Sequence, residues 1–435
     1  MPAFNWINPR KKIFYGWWIV STGFVAQAMM NGLFFTGFSF FFEPMRLHFG
    51  WSRTLMSGAY LFSRVESGLF GPVEGFLIQR YGAKRVMIIS FVVFALGFIS
   101  LSKVYSPLTF YIAFFVLSGG ASTAGFNPVM VTLNNWFRKK RARAISTTML
   151  GMSVGSIAFS PLLAKSIENV GWEMTALGAG FFVALVGIPI SLVMRDNPEP
   201  YGYLPDGQHK NYSAQTQNGE TPTSGESNSQ NNEHVEYDFT LKEALKTRAF
   251  WMLAAGHAVG LMVVSTISLF LVPYTQDELG YSLSKAASLL MIMTVVSMKG
   301  QIWAGFLANI FPKHLLATFC LVGHASALFL LGIADSYTGV VAAVVVQGVA
   351  WGVRSPLTTV LRGDYFGRKY FAAITGISSI VLMIGLIVGP ILTAFLTDNY
   401  GYQSAFIIMG FCALPGVVLF AALRNPQPKS YKPTD

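Results

Sequence analysis

The sequence predicts an all-α integral membrane protein, with twelve transmembrane helices in two pseudo-symmetric six-helix bundles. Three observations predict it. The chain nearly repeats itself after about 230 residues: Gly50-Trp51-Ser52 answers to Gly280-Tyr281-Ser282, Gly75-Phe76-Leu77 to Gly305-Phe306-Leu307, and Asn169-Val170-Gly171-Trp172 to Asn399-Tyr400-Gly401-Tyr402. A long-period duplication in an apolar chain is the mark of paired membrane bundles. The composition is 53% hydrophobic and only 12% charged, more apolar than a soluble core of 435 residues needs. The apolar residues also fall into runs of roughly 20, the length that crosses a bilayer.

In order, the runs cover 14–42, 54–79, 86–103, 107–133, 143–168 and 173–194, then 249–273, 284–310, 315–333, 336–361, 371–397 and 402–423. The first follows Arg10-Lys11-Lys12, but it is too long for a signal-peptide core and lacks a small-residue cleavage site, so it reads as a membrane helix. Phe49-Gly50-Trp51-Ser52-Arg53 opens the second. The fourth and tenth carry matching prolines, Pro128 and Pro356. Gly151-x-x-x-Gly155 opens the fifth, and Gly385-x-x-x-Gly389-Pro390 lies in the eleventh; small residues let helices approach closely, and proline kinks them. Cys320 and Cys412 fall in apolar runs and suggest no disulfide framework.

These runs set the domain boundaries. Residues 1–195 form the N-terminal bundle and 247–435 the C-terminal bundle with a short tail. Between them, 196–246 is a linker, largely disordered, because Gln208 to Glu236 offers almost nothing apolar to bury. Its end, 238–247, spaces Phe239, Leu241, Ala244 and Leu245 as an amphipathic surface helix does.

The net charge of +11 does not point to nucleic acid, because of where it lies. With the N-terminus inside, inner loops and tails hold 23 of the 31 Lys and Arg residues, and outer loops and helix ends hold five. That is the positive-inside bias. It places both termini on the cytoplasmic side of the cytoplasmic membrane. No phosphate-binding Gly-Lys-Ser/Thr loop is present, and no His/Cys/carboxylate cluster has metal spacing. The chain therefore reads as neither an enzyme nor an ATP-driven pump, with no cofactor and no metal.

The loop Gly75-Phe76-Leu77-Ile78-Gln79-Arg80-Tyr81-Gly82-Ala83-Lys84-Arg85 resembles the signature loop of the major facilitator superfamily, with Gly75, Arg80, Gly82 and Arg85 in its gating positions. Gln79 stands where that family has Asp, an acid that takes part in a cytoplasmic charge-relay latch. Glu74 precedes the motif on another side of the helix, and Gly305-Phe306-Leu307-Ala308-Asn309 in the second copy also lacks the acid. Tyr15-Gly16-Trp17-Trp18, Phe49 to Arg53 and Asp364-Tyr365-Phe366-Gly367-Arg368 are together similar to the monocarboxylate porter and oxalate–formate antiporter branch. The resemblance implies alternating access and exchange or proton-coupled movement of small organic anions. It also implies that the first, fourth, seventh and tenth helices line the central cavity.

An ionised side chain at mid-bilayer is costly and usually has a partner or a job. Arg64 lies eleven residues before Gly75, roughly 16 Å along a helix, and half the hydrocarbon thickness is about 15 Å. Glu66 is its neighbour. Arg354 lies eight residues before Arg362, roughly 12 Å in. His257 and Asn127 sit about midway along their runs, and Lys299 lies six residues before Gly305. The resemblance puts Asn127, His257 and Arg354 on cavity helices, with Gln27 and Asn31 on the first.

Arg354 is the leading substrate residue, because a guanidinium grips a carboxylate through two parallel hydrogen bonds. Its counterpart in the repeat is Phe126, so the charge is not a requirement of the fold. The alternative is that Arg354 pairs with Glu66 to hold the bundles together. Lys299 and Arg64 are further cation candidates. The branch's own anion-binding position on the eighth helix falls at Gln301, two residues from Lys299. Glu66 is the candidate proton carrier, and His324 and Lys165 are set aside.

The expected function is secondary transport of a small organic anion, a monocarboxylate first, by symport with a proton or antiport with a counter-anion. Membrane lipid is the expected surrounding and a monomer the working unit. A porter for a neutral or cationic osmolyte and a non-transporting nutrient sensor remain the alternatives.

Overall fold

The computed structural model describes residues 14–207 and 237–426; Arg53, Thr54, Ser57, Tyr60, Leu61, Arg64, Leu283 and Ser284 are described by their backbone alone. The segment predicted to be disordered, 208–236, lies outside the described residues, as do both chain ends. Within the described part, α1 is Gly16–Phe49, α2 Arg53–Tyr81, α3 Ala83–Leu101 and α4 Pro107–Trp136. The helical run Arg141–Val193 is broken at Gly171 (φ 80°, ψ 166°) into α5 (141–170) and α6 (172–193). After the short helix Leu241–Lys246 come α7 Arg248–Asp277, α8 Leu283–Leu307, α9 Lys313–Ile333 and α10 Tyr337–Phe366. The run Phe371–Ala421 is broken at Gly401 (φ 78°, ψ 166°) into α11 (371–400) and α12 (402–421). All twelve predicted helices are present. Among the described residues nine helical runs, the two broken runs counted whole, are long and apolar enough to cross a membrane; α2, whose interior carries Arg64, Glu66 and Glu74, is not among them.

The repeated sequence landmarks do the same local work in both halves. Gly50 (φ 67°) and Gly280 (φ 65°) take a left-handed turn that favours glycine. Two residues later Ser52 and Ser282 cap the next helix, their hydroxyls accepting from the amides of Leu55 (3.2 Å) and Lys285 (3.3 Å). Gly151 and Gly155 let α5 lie on α1, where a Cβ at 155 would fall 2.5 Å from the Ala28 Cα. Gly385 and Gly389 do the same for α11 on α7, where a Cβ at 389 would fall 2.5 Å from the Met262 carbonyl.

Two elements differ from expectation. The first helix runs on to Phe49 rather than ending near residue 42, because nothing stops it before Gly50, and a π-turn at Met30–Phe35 interrupts it. The surface helix is shorter than 238–247. Asp238 is drawn away to accept from the amides of Arg368 (2.8 Å) and Lys369 (3.0 Å), so the helix begins only after Thr240.

The bundles meet at the end that carries the basic loops and the linker. There Gly75 of α2 faces Ala372 of α11 so closely that a Cβ would sit 2.5 Å from its carbonyl oxygen. Gly71 likewise faces Gly376, and α5 meets α8 where the Arg143 guanidinium lies 5.1 Å from the Phe306 ring. One buried core continues across this end, joining Phe137, Ala144 and Met149 to Ala304, Leu357 and Phe371.

Candidate functional site

The C-terminal bundle holds a buried basic cluster. Arg354 of α10 is 0% exposed. Its Nε–H donates to His324 Nε2 of α9 at 3.0 Å, and His324 Nδ1 meets Gln347 Oε1 at 2.8 Å. Because the arginine can only donate, Nε2 accepts and Nδ1 carries the proton toward Gln347. His324 is therefore the neutral tautomer that orients Arg354. The guanidinium lies flat on the backbone of Gly260 in α7, where a Cβ would come within 2.6 Å of Nη1. It also stands 5.4 Å from the Trp351 ring. Both terminal nitrogens, Nη1 and Nη2, are buried with no hydrogen-bond partner among the described residues.

Two turns on, Arg362 repeats the pattern at 2% exposed, with Nη2 unpartnered. His257 of α7, whose Nδ1 is also unpartnered, lies within electrostatic reach of Arg354, Arg362 and His324. No acid lies inside this bundle. Among its described residues the acids are Asp277, Glu278, Asp335, Asp364 and Asp398, all at helix ends or in loops.

The N-terminal bundle is the opposite case. Glu66 and Glu74 of α2 are buried, and each accepts one bond from α4. Ser118 donates to Glu66, and Asn127 Nδ2 donates to Glu74 at 2.5 Å. The second oxygen of each carboxyl is buried and unpartnered among the described residues. Neither acid forms an ion pair with a described residue, so Arg354 and Glu66 do not bridge the bundles here.

The sequence candidates thus separate. Arg354 and His257 come together with His324, which sequence reasoning had set aside. Asn127 is engaged by Glu74. Asn31 sits in the π-turn, where its amide donates to the Met152 carbonyl (2.9 Å) and to Ser156 Oγ (2.6 Å) of α5. Lys299 is exposed on α8, outside the basic cluster, whereas Gln301 is buried with its Oε1 unpartnered. The side chain of Arg64 lies outside the described part.

The signature loop is capped from elsewhere. Gly82 (φ 85°) lies against the Asp196 carboxylate, whose Oδ1 accepts from the Lys84 amide at 3.0 Å. Arg80 and Arg85 are exposed, and Gly75 marks the α2–α11 approach. The latch across the bundles uses other residues. Arg141 of α5, nearly fully buried, pairs with Asp364 of α10 at 2.6 Å, and Lys313 of α9 joins the same carboxylate. Arg368 pairs with Glu199 at 2.6 Å. Asn134 donates to the Gly367 carbonyl at 3.3 Å. Sequence reasoning missed this latch because its partners are distant in the chain, Lys313 and Asp364 by 51 residues and the other pairs by more than 150.

This architecture has known relatives. Over 419 residues the chain is 24% identical to Monocarboxylate transporter 2 of Homo sapiens, covering 94% of this chain and 85% of that one. It is 22% identical to Monocarboxylate transporter 13 of Bos taurus over 428 residues, covering 92% and 88%. The fold superposes on FucP, a Major Facilitator Superfamily transporter in the outward conformation. That match has a TM-score of 0.72 at 14% identity and covers 95% of this chain and 99% of that one. It also superposes on the human organic anion transporter MFSD10, with a TM-score of 0.68 at 15% identity over 93% and 99% of the two chains. Residues 24–325 and 300–435 match the model of the Major Facilitator Superfamily, and the chain belongs to that family.

Proposed function

We propose that the chain is a secondary active transporter of a small organic anion, a monocarboxylate first, working by alternating access. The observation that carries this reading is the unpaired guanidinium of Arg354. A fully buried charge without a partner is strongly destabilising. Nothing acidic inside the C-terminal bundle relieves it, so an anion is the partner that fits. A carboxylate presents two oxygens to Nη1 and Nη2 and satisfies both. The monocarboxylate transporters among the relatives support the same substrate class. A cationic solute would meet a cluster of its own sign.

Thermal stabilisation of the purified protein by pyruvate, lactate, formate, oxalate, glycine and betaine tests the substrate class. A ligand of the folded state raises apparent stability by mass action. Stabilisation by carboxylates, with counterflow of the same solute in liposomes, is the expected result. Stabilisation by betaine alone would replace the anion reading, and binding without counterflow would favour a sensor.

We take Glu66 to couple transport to a proton, as the more central of the two buried acids. Glu66→Gln is expected to abolish uptake driven by a pH gradient while sparing solute exchange. Unchanged pH-driven accumulation in that variant would remove Glu66 from the mechanism.

A further inference from the structure

Glu74 has a setting that a merely structural acid does not need. It is 5% exposed, its Oε2 takes one bond from Asn127, and its Oε1 is buried with no partner among the described residues. Among the described residues, the elements packed around it bring no counter-charge. The only titratable side chain of α4 is Tyr111, and α11 has none before Asp398. α3 contributes Lys84 and Arg85 only at its linker-end start, where Lys84 Nζ donates to the Leu192 carbonyl and Arg85 is exposed. On α2 itself the charged neighbours are Glu66, Arg64 and Arg80. An unpaired carboxylate here would leave a charged, buried oxygen without a protein donor among the described residues. A neutral carboxylic acid avoids most of that cost.

The second observation is position. Glu74 adjoins Gly75, the point where α2 touches α11, so it sits beside the seam that closes the linker end. Any opening of that seam brings water to this carboxyl before it reaches Glu66, eight residues or roughly 12 Å deeper along the helix.

We propose that Glu74 is a second proton station of the transport cycle. It is held as the neutral acid while the linker end is closed, and it exchanges its proton with linker-side water when that end opens. In the release step the carboxyl O–H bond breaks, the proton passes to water, and the electron pair stays on the carboxylate; Asn127 continues to donate to the ion. The proposal rests on the transport reading for its role in a cycle, but the protonation itself does not.

The experiment therefore has two arms. Infrared difference spectra of detergent-solubilised wild type and Glu74→Gln at neutral pH need no substrate. The expected result is a protonated-carboxyl C=O stretch present only in wild type. Its absence would overturn the proposal. Carbodiimide labelling of the wild-type chain, mapped by mass spectrometry, gives the same reading if the variant does not fold: an adduct on Glu74 supports the station, and an unmodified Glu74 refutes it. The second arm follows pyruvate, lactate, formate and oxalate in proteoliposomes. Glu74→Gln should exchange them at the wild-type rate but lose accumulation driven by a pH gradient. Wild-type accumulation, or loss of exchange as well, would count against a proton role. A wild-type protein that moves none of these anions yet shows the carboxyl band would sink the transport reading and leave the protonated Glu74 standing.

Discussion

Arg354 can be tested as a residue in two independent ways. Losing a charge-assisted bond costs on the order of 1.5–3 kcal/mol. Arg354→Ala should therefore weaken carboxylate binding by about tenfold to a hundredfold, and Arg354→Lys should also weaken it, since lysine lacks the planar fork. Near wild-type affinity in a well-folded Ala variant would end the assignment. Gly260 offers the second test. A methyl group there must displace the guanidinium, and overpacking typically costs about 1–3 kcal/mol. Gly260→Ala should lower the unfolding midpoint in wild type but much less in the Arg354→Ala background, a coupling expected of residues in contact. Additive effects would mean that the two do not press on each other. Arg354 was legible in the sequence because a charge in the middle of an apolar run is conspicuous. His324 was not, because it reads as an isolated polar residue until α9 folds against α10. Asn31 and Asn127 were visible as polar residues on the expected cavity helices, but a side chain's bonding partner on another helix leaves no local signal.

Among the elements, the linker-end latch is the part the signature loop did not foretell. Gln79 removes the usual acid, and Asp196 caps the loop while Asp364 ties α5, α9 and α10 together. Asp364→Asn removes the carboxylate that Arg141 and Lys313 share, so the closed arrangement should lose ground. A loss of only about 1.4 kcal/mol is tenfold in the closed-to-open ratio. Faster alkylation of a cysteine placed at Ala372 would reveal it, and an unchanged rate would mean that glycine packing alone closes the end. The short helix Leu241–Lys246 carries a milder sensitivity. The Thr240 amide and hydroxyl hold the Glu243 carboxyl below its ordinary value of 4.5. Its contribution is therefore complete above that value and is lost as pH falls through the lowered one, so amide exchange over 241–246 should quicken in acid. Helix number and type were legible because apolar runs and paired Gly/Ser punctuation are local signals. The π-turn at Met30–Phe35 was not, because it depends on the packing of Gly32 against Gly155 and Phe159.

At the scale of the whole molecule, the charge asymmetry predicts that the linker end faces the cytoplasm. Cysteines placed within 208–236 should resist an impermeant reagent in intact cells and react after lysis; labelling of intact cells would reverse the orientation. Arg141 aside, which pairs with Asp364, the buried charges described divide by bundle, acids in α2 of the first and arginines in α10 of the second. Suppose each cycle loads one proton on an acid and one anion on an arginine. The loaded carrier then crosses with no net charge, and the empty one returns as a cation and an anion that cancel. Moving one elementary charge through the full membrane potential is worth about 2.3 kcal/mol per 100 mV, and this arrangement forgoes that term in both directions. Uptake should follow the pH difference alone, and a potassium–valinomycin potential of either polarity should leave its rate unchanged, so the transporter would be blind to voltage.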